Sequence, residues 1–145
     1  MTDETEGATQ TDDGKRKDRD LMLQLIVSFA EKNAGSAITL FVNGTVISGT
    51  TVSQKAFLEN WVSTISDGFE AETVEALREA FGLDEDAEES DRDVADRNWI
   101  HLRDAQVFTP GGPPMPANGL LWRGKIHEVN GFSFGRFSQS DEPLC

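Results

Sequence analysis

Two of the chain's Asn-Gly dipeptides, Asn43-Gly44 and Asn130-Gly131, each interrupt a run rich in β-branched, aliphatic and aromatic residues, and no other feature narrows the fold as far. A two-residue hairpin turn whose twist matches its strands needs φ > 0 at both central positions, which Asn and Gly accept most readily. In AITLFVNGTVISGT (residues 37–50), Ile38, Leu40 and Val42 alternate with Thr39 and Phe41 before the turn, and Val46 and Ile47 follow it. The second dipeptide lies in GLLWRGKIHEVNGFSFGRF (residues 119–137). Two β-hairpins are therefore expected, with Gly49 as a bulge or strand bend.

Between and before them the apolar spacing turns helical. Asp20 can cap a helix over Leu21–Ala30 in which Leu21, Leu25 and Phe29 fall on one stripe, widened by Met22 and Ile26, with Asn33 and Gly35 as the stop. Ser53 opens a second helix with Phe57, Trp61 and Ile65 in line and Leu58 and Val62 beside them, broken at Asp67-Gly68. A third spans about 70–81 with Val74, Leu77 and Phe81 on one face and Gly82 just past its end. Residues 84–96 hold eight acids and one Arg, the composition of a solvated loop, and lack the ligand spacing and central Gly of a calcium loop.

Trp99–Leu102 and Ala105–Phe108 read as one strand, or two bent at Arg103-Asp104. Thr109–Asn118 reads as a Pro/Gly linker that cannot continue a ladder. The expected organisation is a disordered acidic arm (1–17), one α+β domain (18–137) and a disordered tail (138–145). Its architecture should be a small, strongly bent five-stranded antiparallel sheet or an SH3/Sm-like barrel, with an N-terminal helix and an inserted helical hairpin.

Charge limits the partners. The 145 residues carry 26 acids and 13 bases, a net charge of −13. Such a surface opposes binding to phosphate backbones and docking on anionic lipid. It is also the composition that keeps proteins dispersed at high salt, as in a halophilic host. No apolar run reaches the ~20 residues of a membrane-spanning helix. The N-terminus is unlike a signal peptide, so a cytoplasmic protein is expected.

Catalytic chemistry has little to stand on. The single Cys145 and the two histidines, His101 and His127, fall short of a zinc site. Ile47-Ser48-Gly49 is not a nucleophile elbow, and no P-loop follows Gly44 or Gly49. Alternation with Ile100 and Leu102 places His101 on the opposite, solvent-facing side. A non-enzyme without cofactors is the expectation.

Residues 119–137 depart from the general charge, with Arg123, Lys125 and Arg136 against the one acid Glu128. Alternation assigns Trp122, Gly124, Ile126 and Glu128 to one face and Arg123, Lys125, His127 and Val129 to the other, while Phe132 and Phe134 share a face across the turn. The plain reading is aromatics in the core and solvated bases pairing with the acidic loop. The functional reading is a partner-binding strip of Trp122, Arg123, Lys125, His127 and Arg136, with Trp and Arg the types most favoured at interface hot spots.

Three blocks, VNGTVISGT (42–50), WIHLRD (99–104) and LWRGKIHEVNGF (121–132), together resemble the gas vesicle accessory protein U (GvpU-like) family over about residues 20–137. The resemblance implies a non-enzymatic accessory factor of gas vesicles, the gas-filled protein shells that provide buoyancy. It would act in assembly or in clustering, through protein–protein contacts with a shell protein or another accessory protein at the vesicle surface. An Sm-like nucleic-acid binder and a structural subunit of a homo-oligomer are the alternatives, the first opposed by the charge.

Overall fold

The computed structural model describes residues 19–83 and 93–137; the expected arm, tail and most of the acidic loop lie outside them. Three helices, α1 (Leu21–Glu31), α2 (Gln54–Ile65) and α3 (Ala71–Ala80), accompany five strands: β1 (Ala37–Val42), β2 (Thr45–Thr51), β3 (Trp99–Phe108), β4 (Met115–Lys125) and β5 (Gly131–Phe134). All pairings are antiparallel, in the order β4-β3-β2-β1-β5. The α+β class is as expected. The sheet stays open, with β4 and β5 as its edges, and is not a barrel.

The first hairpin forms as read. Asn43 (φ 49°) and Gly44 (φ 82°) make the turn, pairing Val42 with Thr45 and Leu40 with Ile47. The second does not form. β4 pairs with β3, β5 pairs with β1, and the chain crosses between the two edges through a 3-10 turn at Ile126–Glu128. Neither Asn130 nor Gly131 takes a positive φ. Asn130 instead docks on the first hairpin, its N–H donating to Phe41 O at 2.8 Å and its Oδ1 accepting from Asn43 N at 2.6 Å. The reason is ladder length: β3 offers β4 a partner of ten residues, whereas β5 has only four.

The Pro/Gly linker is correspondingly shorter than expected. Strand β4 begins at Met115, which pairs with Val107, and Gln106 Nε2 donates to Pro116 O at 3.1 Å. β4 is an edge strand, where a proline without an N–H can be tolerated. The expected bend at Arg103-Asp104 is a bulge with Asp104 at φ 52°. Opposite it Gly119 (φ 74°) lies so close that a Cβ would sit 2.7 Å from Asp104 Cα.

Helix α1 is capped by Asp20, whose Oδ1 accepts from Met22 N at 2.9 Å. It is rotated from the expected stripe. Leu23, Ile26, Val27 and Ala30 are buried, whereas Leu21, Met22, Leu25 and Phe29 are 40–62% exposed. Both sides of α1 are apolar, so periodicity alone does not choose between them. Gln24 lies on the inner side because its Nε2 donates to Arg97 O at 2.7 Å and Ala95 O at 3.1 Å, satisfying buried carbonyls. The core joins Leu23, Ile26 and Val27 to Ile38, Leu40, Ile47, Ile100, Leu102 and Ile126.

Helix α2, capped by Ser53 Oγ accepting from Ala56 N at 3.1 Å, covers the other face of β3 through Phe57. Among the described residues no helix is long and apolar enough to cross a membrane. The rotation of α1 predicts unequal costs for two neighbouring leucines. Leu23→Ala should lose about 2–5 kcal/mol in urea unfolding, as for a buried leucine, and Leu25→Ala under about 1 kcal/mol.

Candidate functional site

The displaced hairpin creates a cluster that neither strand carries alone. Register places Trp99 opposite Lys125 and His101 opposite Arg123, and alternation puts all four on one face. The Arg123 guanidinium carbon lies 3.7 Å from the Trp99 ring centroid, and its Nε donates to His101 Nε2 at 3.1 Å. Lys125 Nζ is 5.8 Å from the same indole. Trp99 is thus flanked by two cations attracted to the negative face of its ring.

His101 is the fixed point of this cluster. It is 2% exposed, not solvent-facing as expected, because α2 covers that side of the sheet and sets Phe57 against the imidazole, the two rings tilted with centroids 4.8 Å apart. Burial, and secondarily the charge of Arg123, lower its pKa from 6.5 to about 4. At neutral pH the ring is therefore uncharged. Nε2 accepts from Arg123, so Nδ1 carries the proton, and it meets no hydrogen-bond partner among the described residues.

Arg123 is held on two sides, while its terminal nitrogens make no hydrogen bond among the described residues. Neither Arg123 nor Lys125 has a carboxylate at ion-pair distance there, whereas Arg103 is paired with Asp104 at 2.7 Å. In a chain of net charge −13, two adjacent bases with no acid partner among the described residues are the site's main electrostatic feature. Among the described residues no three His, Cys, Asp or Glu side chains are grouped to hold a metal.

The structure brings Arg123 and Lys125 together and places the other three residues of the expected strip elsewhere. Trp122 pairs with Leu102 on the opposite face, half-buried against the core, with its indole over Gly124. His127 is exposed in the 3-10 turn, because the strand alternation ends at Lys125. Arg136 donates to Asp104 O, at the bulge. Trp99 and His101 were missed as members of the site; pairing β4 with the upstream strand would have revealed both.

A family model described as gas vesicle protein GvpU-like matches residues 20–137. No curated protein and no solved structure matches the chain.

The buried imidazole predicts a specific pH response. The unfolded chain protonates His101 near pH 6.5 and the folded chain near 4, so stability should fall as pH drops through that window. The full loss is roughly 3 kcal/mol. In His101→Gln the amide oxygen can still accept from Arg123 but does not titrate. Urea unfolding at pH 7 and pH 4.5 should show a smaller pH-dependent loss in this variant than in the parent.

Proposed function

The chain belongs to the gas vesicle protein GvpU-like family, and from that premise we propose that it is a non-enzymatic accessory factor docking on a vesicle component through the Trp99–Arg123–Lys125 face. The observation that carries this reading is a pair of bases beside one indole, Arg123 lying on the ring, with no acid partner among the described residues of a strongly acidic protein. Arg and Trp at the centre of a contact supply large area, a rigid charge and several donors. Arg123 is also pre-ordered by His101 and Trp99, so less side-chain entropy is lost on docking.

Such a factor would work at the vesicle surface in the cytoplasm, contacting a shell protein or another accessory protein, in assembly or in clustering of vesicles. A face of this size suits protein contacts better than nucleic acid. Two bases release few counterions, and the net charge of −13 repels phosphate. The open sheet also removes the barrel on which the Sm-like analogy rested.

Co-flotation with isolated gas vesicles tests the reading. Arg123→Gln/Lys125→Gln should weaken association about a hundredfold or more, the loss expected for two charge-assisted contacts worth ~1.5–3 kcal/mol each. Circular dichroism should remain that of the parent. His127→Gln/Arg136→Gln should float as the parent does. Unchanged flotation of the first double variant would reject the docking face.

A further inference from the structure

Next to the platform, the helical pair leaves an open cavity of about 490 Å³ bordered by Gln54, Phe57, Leu58, Trp61, Phe81 and Arg123. That volume lies within the range of small-ligand and side-chain pockets. Trp61 of α2 and Phe81, the residue closing α3, face each other edge-on with centroids 5.6 Å apart, and each is 38% exposed. Their rings wet an apolar wall, at a cost that a covering group would remove. Phe57 is the buried residue of this border and rests on His101.

Among the described residues Arg123 is the one charged residue of the cavity lining, and no acid contributes to it. Its Nε and its face are engaged by His101 and Trp99, leaving its terminal nitrogens without an acceptor among the described residues. A guanidinium held in this way offers a planar pair of donors whose natural partner is a carboxylate. Apolar walls and a fixed cation at the border define a ligand with both characters.

We propose that the cavity receives an acidic peptide segment of the docking partner. A large apolar side chain fills the space beside Trp61 and Phe81, and an adjacent carboxylate bonds the terminal nitrogens of Arg123, with Lys125 as the second cation. This inference rests on the docking reading and names the chemistry recognised. Charge complementarity favours this site over the exposed apolar side of α1 (Leu21, Met22, Leu25 and Phe29), where no cation is held against an aromatic ring among the described residues.

The test uses the full-length chain, labelled with ¹⁵N, and the peptide acetyl-Ser-Glu-Phe-Glu-Ser-amide titrated to millimolar concentration. The indole N–H signals of Trp61 and Trp99 should shift, and that of Trp122, on the opposite face, should not. Replacing both Glu by Gln, or Phe by Ala, should weaken binding at least tenfold, as should Trp61→Ala, Phe81→Ala or Arg123→Gln in the protein. A Trp61 signal unmoved at millimolar peptide, or equal binding of the Gln peptide, would overturn the inference. Co-flotation separates it from the docking reading. If Trp61→Ala still floats with vesicles while Arg123→Gln/Lys125→Gln does not, the cavity is excluded and the platform stands. If both still float, neither holds; if both are lost while Trp61→Ala keeps the parent's circular dichroism, both are supported.

Discussion

Burial of β3 on both faces at residues 100–102 is the constraint on which the remaining structure depends. Ile100 and Leu102 are fully enclosed on one side, and His101, at 2% exposure, is enclosed on the other. A strand covered twice normally consists of apolar residues. A histidine can occupy it only as the neutral ring, with its acceptor nitrogen satisfied, and Arg123 supplies that bond from β4. One requirement of the core therefore fixes the orientation of a surface guanidinium. The same alignment of β3 with β4 lays that guanidinium on Trp99 and brings Lys125 alongside.

The opposite edge is organised by polar contacts. Thr39 Oγ1 lies 3.2 Å from Ser48 Oγ and donates to Gly135 O at 2.8 Å, and Ser48 Oγ accepts from Phe137 N at 2.8 Å. These buried hydroxyls tie the segment after β5 across the sheet, where Phe137 meets Phe108 edge-on at 4.9 Å. Arg136 is directed to the bulge carbonyl of Asp104 by that path. The basic residues of 119–137, close in sequence, thus serve different places: a core-anchored platform, a surface turn and a bulge.

Features set by local chemistry were legible in the sequence. Asn43-Gly44 specified its own hairpin, Asp20 and Ser53 specified helix starts, and Gly82 (φ 68°) closed α3. Features set by competition between distant partners were not. Asn130-Gly131 carries the same turn signal, but the longer ladder between β3 and β4 overrides it, and Asn130 is used to clamp the first turn. The two apolar sides of α1 looked alike until Gln24 found the carbonyls of Ala95 and Arg97. His101 was misplaced for a related reason: alternation gives two faces but does not say that a helix covers the second. Arg123 and Lys125 were recognised by charge alone, whereas their partner Trp99 required the correct strand pairing.

The proposal places the contact with a vesicle component on the β3–β4 platform, and not on the exposed apolar side of α1 or the β5 edge. The most direct test places a photo-crosslinking benzoylphenylalanine at position 125, 25 or 134 and irradiates each variant with isolated gas vesicles. The account predicts a cross-linked vesicle polypeptide from position 125 and none from 25 or 134. Cross-linking from 25 or 134 with none from 125 would contradict it.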